Sequence, residues 1–310
     1  MKTNAGTKIR PDGKASFDDI YDGPTPAAYF SELRPLQYLL PGHAQPMVRR
    51  CIEALRRRRG LETVTVLDLC AGYGINAALI RHDVTLQDLY ARFATQDARA
   101  AGAQRIPADA AWFQRRWRAA ARVRVIAQDV SRNALSYSQA AGLVDATVAA
   151  NLEERDPTPE QAALLRDADL ILVTGGLSYI GARTFARVLR AARREPWALY
   201  FPLRHTDIGE VDEAFEDMGY AVETSRRPVA QRRYRSPEEQ QAIRERTLAQ
   251  AAPGEPAPSP THLEAVVKLA RPLDELFHPP FDEITVGPAG AARDRNGIPA
   301  SHGRAPYPGN

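Results

Sequence analysis

From residue 64 to residue 271, short apolar runs alternate with amphipathic helical segments, and this alternation constrains the fold more than any other feature. Residues 64–70 (VTVLDLC) are β-branched at their start and end at a glycine turn, the pattern of a strand buried on both faces. Further strands are expected at 123–128, 146–150, 170–173, 198–202 and 220–224, with helices beginning near Ile75 and at 133–141, 160–168, 183–194 and 210–218. Strands separated by helices pair in parallel, with helices on both faces of the sheet. A last run, 265–271 (AVVKLAR), is expected to close the sheet beside 220–224.

The flanks of this core read differently. Residues 1–15 are polar and aperiodic, and disorder is expected there. Residues 16–60 hold helical spacing at 27–33 and 45–58, broken by prolines and stopped by Gly60. That segment is too short for a core of its own and suits a helical lid over the strand ends. Residues 83–121 form an insertion with helix-like pieces at 86–93 and 108–121. The second piece carries Trp112, Phe113 and Trp117; it reads as a helix laid on the domain, with a homodimer surface as the alternative. Residues 236–251 are a polar helix, and 272–310 read as a disordered tail. The Arg56–Arg59 run reads as a solvated helix end whose cations oppose the helix dipole, ahead of a phosphate patch.

Composition excludes several classes. Lys and Arg number 41 against 38 Asp and Glu, and a net charge of +3 on 310 residues argues against a nucleic-acid partner. Two cysteines, Cys51 and Cys70, cannot build a disulfide framework or a thiolate zinc cluster, and the histidines show no paired ligand spacing, so no metal is expected. No run approaches about 18 apolar residues and the first residues lack an apolar leader core. A soluble cytoplasmic protein with no membrane partner is the expectation.

The turn after the first strand reads Asp68-Leu-Cys-Ala71-Gly72-Tyr73-Gly74. Small residues there let the backbone approach a ligand, and the following helix offers free N–H groups. No GK[ST] follows, which excludes a P-loop, and the dinucleotide pattern GxGxxG is incomplete. Asp68 suits a ligand with an ammonium group better than a pyrophosphate. The second strand ends in Gln128-Asp129-Val130-Ser131, where Asp129 either accepts both hydroxyls of an unphosphorylated ribose or caps the next helix. Asn151-Leu152 ends the third strand, and an Asn there can meet an adenine edge or a substrate amine. Thr174-Gly175-Gly176 ends the fourth, with Tyr179 just beyond, as a site or a packing residue. His205 and Thr206 follow the fifth strand, with His205 a candidate general base. Cys70 reads as a small packed residue.

The phrases VLDLCAGYG, AQDVS, ANLEE and LILVTGG resemble motifs I to IV of the class I S-adenosylmethionine-dependent methyltransferases, over roughly residues 64–271. SFDDIYDGPTPAAYF and CAGYGINAALI are similar to a bacterial subgroup with an N-terminal helical lid. The resemblance implies a Rossmann-like α/β sandwich, with a seven-stranded, mostly parallel sheet and one antiparallel strand. It implies S-adenosylmethionine as cofactor, with Asp68 and the Gly72–Gly74 turn on the methionine, Asp129 on the ribose and residues around Asn151 by the adenine; Ala71, Val130 and Leu152 belong to the same binding set. Thr174 and Gly175 complete that binding set. Tyr21 and Tyr29 of the lid either close over the sulfonium or pack the lid. Cys70 stands where the motif usually has its first glycine, and Gly74 to Asp129 is far longer than the customary gap of about 20 residues.

Methyl transfer to a small molecule, in bacterial secondary metabolism, is the leading expectation. The subgroup is also similar to enzymes that cyclise S-adenosylmethionine to azetidine-2-carboxylate and methylthioadenosine. Asn151, Tyr179 and Thr206 are the candidate polar groups for that amine, or for a methyl acceptor. A cofactor-binding regulator without catalysis is the reading from another class. A DNA amino-methyltransferase is disfavoured, because the fourth strand leads into TGGLSY rather than a [DNS]PP[YFW] signature.

Overall fold

The computed structural model describes residues 18–287. Its first half runs α1 (Ala27–Leu33), α2 (Leu40–Arg59), β1 (Val64–Leu69), α3 (Ile75–Arg81), α4 (Leu86–Phe93), α5 (Gln96–Ala101), α6 (Ile106–Gln114), β2 (Val123–Asp129), α7 (Arg132–Ala140) and β3 (Ala146–Ala149). There follow α8 (Pro159–Leu165), β4 (Leu170–Thr174), α9 (Ala182–Ala191), β5 (Trp197–Phe201), α10 (Gly209–Glu216) and β6 (Tyr220–Thr224). The last elements are β7 (Val229–Arg233), α11 (Pro237–Gln250), β8 (His262–Ala265), β9 (Lys268–Pro272) and α12 (Phe281–Thr285).

Seven strands form one sheet in the order β3-β2-β1-β4-β5-β9-β6. The strands from β3 to β5 pair in parallel, and β9 lies antiparallel to both β5 and β6. This is the expected Rossmann-like sandwich with one reversed strand. Strand alternation feeds two cores: Trp197, Leu199 and Phe201 of β5 enter the cluster shared with α2 and α3, while Ala198 and Tyr200 enter the one shared with α9 and α10. Side-chain oxygens of Thr85, Ser131, Thr158 and Ser236 cap the helices that follow them. From β1 the chain builds outward through β2 and β3, then crosses back to β4 on the other side. Such a reversal opens a crevice at the carboxyl ends of β1 and β4.

Five sequence expectations need correction. Helix α2 starts at Leu40 rather than 45, because Pro41 sits in the first turn, where its missing N–H costs nothing, and burial of Leu40, Ala44, Met47 and Val48 outweighs the bond lost at Pro46. The same helix packs in the main core beside β1 and β4, so only the segment before it lies over the strand ends, not all of 16–60. The connection inside 83–121 is itself helical, with Thr95 capping α5. Fourth, the run 265–271 divides: Ala265 ends β8, which pairs with β7 in a separate two-stranded ribbon, and only β9 joins the sheet. Finally, the expected disordered tail 272–310 is ordered as far as 287. Arg50 Nε donates to the Ile284 carbonyl (2.7 Å), Ile284 is buried, and Arg59 is held by Glu275 (2.7 Å). That ion pair also ties down the end of the arginine run. Residues 1–17 and 288–310 lie outside the described residues, and with them the expectations for 1–15, for 16–17 and for the rest of the tail.

Candidate functional site

A cavity of about 470 Å³ occupies the crevice. Its floor comes from the ends of four adjacent strands: Gln128 and Asp129 of β2, Cys70 after β1, Ala150 and Leu152 after β3, and Thr174 to Gly176 of the β4 turn. Tyr21, Asp22 and Tyr38 from the N-terminal segment cover it. Val130, Asn151 and Tyr179 stand exposed at the mouth.

Asp129 organises one end. Its Oδ2 accepts the Gly72 N–H (2.8 Å) and its Oδ1 the Ser131 N–H (2.8 Å). A carboxylate offers about four acceptor sites, so two bonds fix its orientation and leave acceptor capacity on the cavity wall. It does not cap α7; Ser131 Oγ does that, accepting the Ala134 N–H at 3.2 Å. Burial raises the Asp129 pKa, against the lowering pull of the N–H donors of Ser131, Gly72 and Val130.

The covering segment is bolted to the same turns. Ser131 Oγ donates to the Tyr21 carbonyl (2.9 Å), Asn133 Nδ2 to the Asp22 carbonyl (2.8 Å), and Tyr73 Oη to the carbonyls of Ile20 (3.1 Å) and Gly23 (2.9 Å). The Tyr21 ring stacks on Tyr73 with centroids 6.1 Å apart, and it rests on Gly72. A Cβ at Gly72 would stand 2.8 Å from Tyr21 Cε1, on a residue whose φ is +52°. Glycine is required there by conformation and by contact together.

Behind the turn lies a buried polar cluster. Asn76 Nδ2 donates to Asp68 Oδ1 (2.8 Å) and reaches Thr174 Oγ1 (2.8 Å), linking β1, α3 and β4. Asp68 is 1% exposed and its Oδ2 has no partner among the described residues. Burial pushes its pKa up to about 7, with the Asn76 bond opposing.

Of the expected site residues, Tyr21, Asp129, Val130, Asn151, Leu152, Thr174, Gly175 and Tyr179 line this one cavity. Asp68, Ala71, Gly72, Tyr73 and Gly74 stand behind it and shape the turn; Tyr73 spends its hydroxyl on the covering segment, and Tyr29 is packed in the lid core. Thr206 lines a different cavity, of about 670 Å³, between the β5–α10 loop and α11, and His205 lines neither. The structure thus does not bring them together with Asn151 and Tyr179 in the first cavity. The loop after β5 is drawn away because Leu203 bridges to Ala265 and the Arg204 N–H bonds to the Glu264 carbonyl. Sequence reasoning missed Tyr38 and Gln128. Tyr38 sits among leucines and prolines with no local signature, whereas Gln128, beside Asp129 at a strand end, was open to suspicion.

No Lys, Arg or His is among the described residues lining the cavity, while Asp22, Asp129 and three tyrosines are. A neutral or cationic ligand fits such walls, and an aromatic face favours positive charge. Among the described residues no group of three or more His, Cys, Asp or Glu could hold a metal ion, and no helix is long and apolar enough to cross a membrane.

No protein-family model matches the chain, and no curated protein matches it. Solved structures with some likeness include a TehB-like SAM-dependent methyltransferase from Corynebacterium glutamicum (13% identity, 71% of this chain and 86% of that one, TM-score 0.37). A precorrin-6y C5,15-methyltransferase from Geobacter metallireducens is another (15%, 72% and 87%, TM-score 0.35). A third is the magnesium protoporphyrin IX methyltransferase of Synechocystis with bound SAM (11%, 74% and 80%, TM-score 0.36). At these identities and scores the likenesses say nothing about the reaction, and the fold stands on its own strand order.

Proposed function

We propose that this chain is a class I methyltransferase that binds S-adenosylmethionine in the cavity and methylates a small molecule, in the cytoplasm and in bacterial secondary metabolism. The observation that carries the reading is Asp129: a carboxylate at the end of the strand beside β1, locked by two backbone N–H groups, with spare acceptor capacity on the cavity wall. Two vicinal ribose hydroxyls are the natural partners for it. Asn151, Leu152 and Val130 flank the place for the adenine, and Asp68 with the Gly72–Gly74 turn that for the methionine. The absence of cations from the described lining residues suits a ligand bearing ammonium and sulfonium charges.

When bound, the cofactor supplies a methyl group already activated for displacement. The chain contributes alignment and exclusion of water: Tyr21 and Tyr38 cover the cavity, and Asp22 and Asp129 hold negative charge around it. No histidine is among the described residues lining the cavity, so an acceptor that enters as a neutral nucleophile suits it. Calorimetry with S-adenosylmethionine tests binding, and identifying the nucleoside product after incubation tests the reaction. Acceptor-dependent S-adenosylhomocysteine is expected; a folded protein that does not bind the cofactor refutes the reading. Binding without turnover of any kind would leave the regulator.

Cyclisation of the cofactor is the second reading, supported by the presence of Asn151 and Tyr179 in one cavity. There the α-amine attacks the γ-carbon, the carbon–sulfur bond breaks toward methylthioadenosine, and the amine loses its proton. Thr206, the third group expected around that amine, lies in the other cavity. Transfer therefore leads. Steady methylthioadenosine from cofactor alone, abolished in Asp68→Ala, would reverse that order.

A further inference from the structure

The covering segment brings to the cavity one hydroxyl that the proposed binding set does not use, that of Tyr38 in the turn between α1 and α2. Gln37 before it holds a φ of +48°, a left-handed state unfavourable for a residue with a Cβ, so surrounding contacts must sustain this path of the chain. Those contacts are present. Leu39 N–H donates to the Gln231 carbonyl (2.6 Å), Arg233 N–H to the Leu36 carbonyl (2.7 Å) and Tyr90 Oη to the Tyr38 carbonyl (3.0 Å). The Tyr38 ring stands edge-on to Tyr29, with centroids 6.3 Å apart. A strand of the ribbon and a helix of the insertion therefore fix where this one phenol points.

The phenol ends at the turn after β4. A Cβ at Gly175, itself at φ +80°, would stand 2.7 Å from Tyr38 Oη, and both residues line the cavity. Only glycine leaves room for the oxygen there. The hydroxyl has no hydrogen-bond partner among the described residues and is not sealed in the core. Burial raises its pKa above the ordinary phenol value, so at neutral pH it keeps its proton and can both donate and accept.

Sheet order says which end of the cavity this is. Asp129 and Asn151 follow β2 and β3, and Gly175 follows β4, on the other side of β1. With the adenosine at the β2 and β3 end, the transferable methyl and its acceptor belong near Gly175. We propose that Tyr38 positions the acceptor: its hydroxyl accepts the N–H or O–H of an uncharged amine or alcohol seated against Gly175, whose lone pair stays free. An anionic acceptor meets no cation among the described lining residues and is disfavoured. This role rests on the reading of the cavity as a cofactor site.

The test uses the full chain loaded with S-adenosylhomocysteine and three probes of one ring size: aniline, which is uncharged at neutral pH and carries N–H groups, toluene, which carries none, and benzoate. Ligand-observed NMR is expected to show binding of aniline but not of benzoate. Tyr38→Phe keeps the ring and deletes only the hydroxyl. It should weaken aniline by roughly three- to tenfold, as for one lost hydrogen bond, and leave toluene within about twofold. A merely structural role for Tyr38 would move both probes alike. Calorimetry should find S-adenosylhomocysteine affinity within about twofold of wild type, which also reports a folded variant. Unchanged aniline binding in the variant, equal losses for aniline and toluene, benzoate bound as well as aniline, or no binding of aniline overturns the proposal. So does a loss of S-adenosylhomocysteine affinity as large as that for aniline, which would put the hydroxyl on the cofactor. A wild-type chain that does not bind S-adenosylhomocysteine overturns the cofactor reading as well, which separates the two failures.

Discussion

Gly176→Ala presses two cavity-lining turns into one another. A Cβ at 176 would stand 2.6 Å from Cys70 Cβ and 2.8 Å from Cys70 Sγ, where carbon atoms normally stay about 3.5–4.0 Å apart. No rotamer change relieves a clash between two Cβ atoms, so the turn after β1 or the turn after β4 must move by about 1 Å. Overpacking of this kind costs roughly 1–3 kcal/mol, and the rigidity of both turns places the expected loss near the upper end. Cys70 itself sits at φ +54°, a left-handed conformation that costs a side-chain-bearing residue about 1–2 kcal/mol. Cys70→Gly removes that strain, adds a glycine entropy cost of about 0.5–1 kcal/mol, and should be close to neutral alone. In the double variant both contacts under 3.0 Å are gone and Val173 Cγ1 stands at 3.3 Å, so most of the loss should return. The expected coupling is about 2 kcal/mol, read from urea unfolding of the four proteins of the cycle. Losses that add within about 0.5 kcal/mol would refute the reasoning, since the Cys70 side chain would then not be what the new methyl meets.

Asp129→Ala should weaken S-adenosylmethionine binding by roughly 1–3 kcal/mol in a folded protein, measured by calorimetry; unchanged affinity removes Asp129 from the ribose role. Asp68→Asn should flatten the pH dependence of stability. Burial raises the Asp68 pKa from 3.8 to about 7, so both states hold the proton below pH 4. Between about 4 and 7 the unfolded chain releases it first, and wild-type stability falls by up to about 4 kcal/mol before levelling off. Urea midpoints across pH 4–8 should show that decline in wild type and not in the variant; parallel curves would count against it. Hydrogen exchange in residues 18–39 should slow if cofactor binds under a lid anchored on the turn after β1, and no response would exclude closure. Tyr179→Phe, which keeps the ring and deletes the hydroxyl, should barely change methyl transfer to an acceptor held elsewhere, whereas a cyclase should lose turnover far more than affinity.

The central architecture was legible because it is local. Apolar runs of strand length, bounded by glycine and proline and separated by helical spacing, leave few alternatives to a mostly parallel sheet with one closing strand beside 220–224. The residues at strand ends were legible for the same reason: Asp129, Asn151, Thr174 and Gly175 gather in one cavity because parallel strands aim their carboxyl ends in one direction. Contacts between segments far apart in sequence were not legible. Leu203 pairing with Ala265 turns the β5–α10 loop away and takes Thr206 to another cavity. Arg50 holding Ile284 orders a stretch whose prolines and acids read as tail. Backbone bonds from Leu39 to Gln231 and from Arg233 to Leu36 carry Tyr38 into the cavity. Local sequence sets which backbone states are cheap, and so it determined the sheet and the strand-end chemistry. Which loop crosses which strand end depends on pairings whose partners lie many residues apart, and only the folded chain decided them.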